Sequence, residues 1–190
     1  IINVCPAATT TYTAEITYTL CNGVPLKVTD QTTVTVTNGK VWNGSVSTDW
    51  NVANNWTPSG VPTPLNCVVV PNVTNDPIIS GASFNAYGLN LTILNGATLV
   101  MNATNTLTIT DFVKVEPTAS FTIRNSASLI QVNNGAVNIG NIIMERMTTM
   151  RKTDYVYWSS PVQTFSAAAI SPGTTTNYIY KWNPSIANTN

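Results

Sequence analysis

The stretch Leu91-Thr92-Ile93-Leu94-Asn95-Gly96-Ala97-Thr98-Leu99 returns 30 residues later as Phe121-Thr122-Ile123-Arg124-Asn125-Ser126-Ala127-Ser128-Leu129. Each copy holds a short alternating strand, a corner of small residues and the start of another strand. Alternation gives a strand one apolar and one polar face. The Asn-Gly and Asn-Ser steps supply residues that turn the backbone cheaply. Related corners stand at Gly81-Ala82-Ser83, Thr118-Ala119-Ser120 and Gly135-Ala136-Val137. Irregular recurrence of such units fits a parallel β-solenoid, in which each coil buries its apolar face on the next. A Greek-key β-sandwich is the competing architecture, since short strands with regular turns also suit it. The corners carry Ala and Ser rather than two-residue hairpin turns, which favours the solenoid. The expected core is Leu91, Ile93, Leu99, Leu107, Ile109, Ile123, Leu129 and Ile139, with little helix anywhere.

Working outward, residues 79–147 are the solenoid coils and residues 39–78 a Trp-rich entry segment. The latter holds Trp42, Trp50 and Trp56 among Gly, Asn and Pro, then Cys67-Val68-Val69-Val70-Pro71, a buried strand stopped by proline. In residues 1–38, Thr11 to Leu20 alternates with period two, and Asn22-Gly23 follows as a hairpin signal. Two or three strands cannot enclose a core. They read as the closing strands of an immunoglobulin-like domain. Residues 148–190 form an aromatic segment: Tyr155 to Val162 and Tyr178 to Trp182 read as strands, and Phe165 to Ala169 as a helical turn. The fold class is therefore all-β.

Only 8% of the 190 residues are charged, with a net charge of zero. Such a surface offers no electrostatic attraction to nucleic acid or anionic membranes. No apolar run reaches the ~18 residues of a membrane span. The chain starts without an initiator Met, on Ile1-Ile2-Asn3-Val4, and is expected to be an internal piece of something longer. Of three cysteines, Cys5 and Cys21 flank the hairpin segment and are candidates for a disulfide in an exported chain, with free thiols as the alternative.

Catalysis is not expected. The eight acidic residues are scattered, there is no His, and no nucleophile elbow or phosphate loop occurs. No cofactor is expected. Asp49 with Asn51, and Asn72 with Asn75 and Asp76, are oxygen donors that a structural Ca²⁺ could use, though no D-x-D-x-D-G loop exists. The ligand candidates are Trp42, Asp49, Trp50 and Trp56, because indole faces stack on sugar rings and flanking polar groups bond hydroxyls. The competing reading has the indoles closing the end of the solenoid, where an unprotected coil would expose apolar surface and strand edges. Asn95, Asn125 and Asn133 at the corners are expected to bond their own turns and one another.

The spacing Trp42-Asn43-Gly44, Asp49-Trp50-Asn51, Asn55-Trp56, Val61-Pro62 resembles a module of large repetitive proteins exported by type IX secretion, gliding-motility adhesins among them. Tyr157-Trp158-Ser159-Ser160-Pro161-Val162 and Tyr178-Ile179-Tyr180-Lys181-Trp182 resemble the segment preceding the C-terminal sorting domain of that family, which does not follow here. The run from Thr9 through Cys21-Asn22-Gly23 resembles the end of its immunoglobulin-like repeats. The resemblance implies a secreted protein of the bacterial cell surface. Its implied role is structural or adhesive, with the type IX machinery as partner and surface glycans as further contacts. A carbohydrate-binding module built on Trp42, Trp50 and Trp56 is the alternative.

Overall fold

The computed structural model describes residues 9–34, 39–151, 154–157 and 166–180. The chain divides into two compact units, Ile1–Met147 and Thr148–Asn190.

The first unit opens with the hairpin. Strands β1 (Thr10–Thr19) and β2 (Pro25–Val34) pair antiparallel, Ile16 opposite Val28 and Tyr18 opposite Leu26. The turn is closed by Gly23 N donating to Leu20 O at 2.8 Å, and Gly23 takes a φ of 81°, as the Asn-Gly step predicts. Tyr12, Ile16, Tyr18, Leu26 and Val28 share one face of this ribbon; Thr11, Glu15, Thr17, Lys27 and Thr29 share the other. No further strand joins it among the described residues.

Among the described residues twelve strands follow: β3 (Gly39–Trp42), β4 (Trp56–Thr57), β5 (Cys67–Val70), β6 (Ile78–Ile79), β7 (Asn85–Gly88), β8 (Asn90–Ile93), β9 (Thr98–Met101), β10 (Thr106–Ile109), β11 (Val113–Val115), β12 (Ser120–Ile123), β13 (Ser128–Gln131) and β14 (Ile143–Met144). They stack into three sheets, in the orders β4-β3-β5-β8-β11, β6-β9-β12-β14 and β7-β10-β13. Every pairing is parallel except β3 with β4. The architecture is a three-sided parallel β-solenoid. Parallel ladders throughout the stack exclude the sandwich, whose strands pair antiparallel.

The register sets the coil. Leu91 lies opposite Val113, Leu99 opposite Phe121 and Leu107 opposite Leu129, an offset of 22 residues each time. The 30-residue echo in the sequence is thus not the period. It aligns one side of a coil with the next side of the following coil, because neighbouring sides share the same corner chemistry. At those corners Ala97 N donates to Leu94 O, Ala119 N to Glu116 O and Ala127 N to Arg124 O, at 3.0, 2.9 and 3.1 Å. The third turn residue has positive φ at Gly96 (78°), Thr104 (66°) and Ser126 (63°). Ala97 and Ala127, the closing residues of their turns, are buried, as is Asn105 at the turn from Asn102.

Leu91, Ile93, Leu99, Leu107, Ile109 and Ile123 lie fully buried in one cluster with Phe121, Val115 and Met101, and Leu129 is half-buried against it. Ile139 departs from expectation. It makes an isolated bridge to Lys114 in the last coil and is 55% exposed, because no coil among the described residues covers it.

Among the described residues, the second unit contains one short helix, α1 (Ala167–Ile170), and a 3₁₀ turn at Thr176–Tyr178. That turn stands where the strand from Tyr178 was expected. Residues 154–157 pair with no strand, and the remainder of the strands expected at 155–162 and 178–182 lies outside the described residues. No helix among the described residues is long and apolar enough to cross a membrane.

Candidate functional site

The entry segment owes its order to three indoles. Trp42 projects from β3, Trp56 from β4 opposite it, and Trp50 from the loop between them. All three are at most 1% exposed. Trp56 meets Trp50 edge-on at 4.6 Å between ring centroids and Trp42 at 5.0 Å, while Trp42 and Trp50 stack at 6.5 Å with planes 20° apart. Edge-to-face and offset geometries suit the aromatic quadrupole. The three indoles belong to the same buried core as Val68, Val70 and Ile79 of the first coil. Alongside, β4 pairs antiparallel with β3 and so occupies the edge that a further coil would use.

The polar handles of the indoles turn inward. Trp42 Nε1 donates to Asn75 O at 2.7 Å and Trp56 Nε1 to Trp50 O at 2.9 Å; Trp50 Nε1 is buried without a partner among the described residues. No ring face is open for a sugar to stack on. The geometry is that of a sealed end, and burial removes these side chains from the ligand candidates.

Asp49 also serves the fold: its carboxylate accepts from Asn51 N at 2.9 Å, closing a local turn, and its backbone bridges to Ile78. The residue that organises the loop is Asn55. Fully buried, it accepts from Val46 N and Ser47 N at 2.9 and 3.0 Å and donates to Ser47 Oγ and Asp49 O at 3.0 and 2.9 Å. All four hydrogen-bonding positions of the amide are used. Nothing in an Asn-rich sequence separates Asn55 from its neighbours.

Two of the candidate calcium donors bond the fold. Asn75 Nδ2 donates to Gly44 O at 2.7 Å and Asp76 accepts from Thr98 N at 3.3 Å. No cluster of three acidic, His or Cys side chains forms among the described residues.

The corner asparagines bond the adjacent coil more than one another. Asn95 Oδ1 accepts from Thr118 N and Oγ1 at 3.2 and 3.0 Å, Asn125 Oδ1 from Met147 N at 2.8 Å, and Asn133 Nδ2 donates to Asp111 at 2.8 Å. Asn133 also closes its own turn, through Gly135 N. Glu116 works at the same corner: Asn95 N donates to it at 2.9 Å and Lys114 pairs with it at 3.1 Å. The Asn95 amide first, then Lys114, hold its carboxyl below the usual carboxylate range.

The cysteines correct the expected bridge. Cys21 is a free, exposed thiol, and Cys67 is disulfide-bonded. A Cys5–Cys21 bridge is therefore not formed; Cys5 lies outside the described residues. Sequence distance misleads here because the turn carrying Cys21 projects into solvent, whereas Cys67 begins a central strand of a sheet.

With this geometry in hand, residues 41–190 match a family described as a domain of unknown function, DUF8693. The chain belongs to the DUF8693 family. No curated protein and no solved structure matches it. The DUF8693 region begins within β3 and continues through the solenoid into the second unit, while the hairpin precedes it.

Proposed function

We propose that this DUF8693 protein is a structural and adhesive segment of a secreted bacterial cell-surface protein, a rigid spacer rather than an enzyme. The observation that carries the reading is the state of its carboxylates. Glu15 pairs with Lys27, Glu116 with Lys114, Glu145 with Arg124 and Asp154 with Arg151. Asp30, Asp49, Asp76 and Asp111 accept from Gln31 N, Asn51 N, Thr98 N and Asn133 Nδ2. All eight acidic side chains of the sequence are thus tied to the fold. Acid–base chemistry on sugars needs two of them converging on a substrate.

Further support comes from the bonded Cys67, which suits an oxidising compartment, and from a sequence only 8% charged. Likeness to type IX secretion substrates supplies the route to the surface and the gliding or adhesion context. The test has three arms. Antibody to the solenoid should label intact producing cells, and brief protease treatment should remove the signal. Beads coated with the protein should adhere to surfaces that bare beads do not hold. A panel of polysaccharides should show no chain cleavage on incubation with it. Turnover of any polymer, or a signal only in lysed cells, refutes the reading.

A further inference from the structure

The three cysteines of the chain are in unequal states. Cys21 is a free thiol on the exposed hairpin turn, and Cys67 is disulfide-bonded. The sequence holds one other cysteine, Cys5, outside the described residues. Cys67 stands first in β5, the middle strand of the five-stranded sheet, in register with Gly39 of β3 and Asn90 of β8. Val68, Val70, Leu91 and Ile93 fill the core at zero exposure, so alternation turns Cys67, Val69, Asn90 and Thr92 to the outer side of the sheet. That outer side is covered. Val69, Asn90 and Thr92 are 4%, 6% and 8% exposed, whereas the outward residues Val100, Thr108 and Thr122 of the other two sheets are only half-buried.

We infer that Cys67 is bonded to Cys5, and that this bridge carries tension past the hairpin and the Trp-sealed entry segment. Count names the partner: with Cys21 free, Cys5 is the one other sulfur the chain can offer. Position agrees with it, since a segment joined at Cys67 arrives on the covered side of β5 and β8. Forming the bridge takes one proton from each thiol and two electrons from the sulfur pair; a small-molecule disulfide accepts them and leaves as two thiols.

The mechanical consequence rests on the spacer reading, which supplies the load. Tension entering ahead of Cys5 crosses the sulfur pair into β5 and continues through the coils. Cys67 follows Cys5 by 62 residues, and the loop between them holds both hairpin strands, Trp42, Trp50, Trp56 and Asn55. This is the part of the first unit least built to bear load. The hairpin is joined along a single ladder, β4 has two residues, and the sealed end is ordered by packed indoles more than by stacked strands.

The test uses the full 190-residue chain. After free thiols are alkylated, the denatured chain is cut with chymotrypsin, which separates Cys5 from Cys21 at Tyr12. A linked pair of Cys5 and Cys67 peptides is expected, with Cys21 alkylated. Cys67 linked to Cys21 or to a second copy, or all three thiols alkylated, overturns the inference. Next, the chain is held by its two ends and stretched out. The oxidised chain should stop roughly 200 Å short of the reduced one, 62 residues at about 3.3–3.6 Å each. Cys5→Ser should stretch like the reduced wild type whether or not reductant is present, and Cys21→Ser like the oxidised wild type. Equal lengths for the oxidised wild type and Cys5→Ser overturn the bypass, as does an oxidised Cys21→Ser chain that stretches in full. Neither readout involves a surface, so failure of bead adhesion or cell labelling would strike the spacer reading and leave the bridge standing, and loss of the bridge would do the reverse.

Discussion

The hairpin and the solenoid are written in the same local code and meet opposite fates. Both alternate with period two; both place Ile, Leu and Val on one face and Thr on the other. In the solenoid those apolar positions reach zero exposure at Leu91, Leu99, Leu107 and Phe121, whereas in the hairpin Ile16 and Val28 stay open. Alternation decides which face is apolar. It does not decide whether anything lies over that face. The solenoid closes on itself because three sides of each coil point their apolar residues at a common axis, and the next coil extends that core.

The comparison breaks most visibly by truncation. Phe121→Ala, within the stack, should cost about 3–5 kcal/mol in chemical denaturation, while Ile16→Ala, measured in dilute protein, should stay within about 0.5 kcal/mol. Equal losses at the two sites would mean that the hairpin packs as the coils do. At the sealed end, Asn55→Ala orphans the Val46 and Ser47 amides and should cost about 2 kcal/mol by the same measurement. Asn22→Ala removes only the exposed bond from Val24 N, 3.0 Å long, and should cost about 0.5 kcal/mol.

Smaller effects sharpen the contrast between corner and turn. Ser126 sits at φ 63°, a conformation Gly adopts without a Cβ penalty, so Ser126→Gly should raise stability by about 0.5–1 kcal/mol. The same experiment on the hairpin turn has no room to gain, since Gly23 is already there. Glu116 gives the smallest effect. Its carboxyl is depressed in the folded chain, by the Asn95 amide and then Lys114, so the bonds it makes contribute fully above the ordinary carboxylate range. That contribution is lost as pH falls through the depressed folded value. A Tm series from neutral to acid should therefore fall more steeply in the wild type than in Glu116→Gln, and the two curves should converge at the acid end. Parallel curves would remove Glu116 from the corner's stabilisation.

Much of the solenoid was legible. Leu91, Ile93, Leu99, Leu107, Ile109 and Ile123 are in the core because a short alternating strand states its own inward side. The Asn22-Gly23 turn was legible for the same reason: positive φ at Gly23 is a property of one residue. Ile139 obeys the same pattern and is nonetheless exposed, since its burial depended on a further coil. At the Trp-rich end, the burial of the indoles agrees with the capping reading and not with the sugar-contact alternative. Trp42, Trp50 and Trp56 are sticky in either role, and sequence gives an indole no sign of whether its face meets a sugar or another indole.

The amino-acid sequence by itself determined the local terms of this protein: β-strands from Thr, Val and Ile, corners from small residues, a hairpin at Asn22-Gly23, and a surface almost without charge. Only the tertiary structure decided the 22-residue coil, the inward turn of three tryptophans, the burial of Asn55, and the bonding of Cys67 while Cys21 stays free. The physical reason is range. A strand's alternation and a turn's φ are settled within a few residues. What lies over a side chain is settled by chain about 20 or more residues away, arriving through stacked ladders whose register no local pattern records.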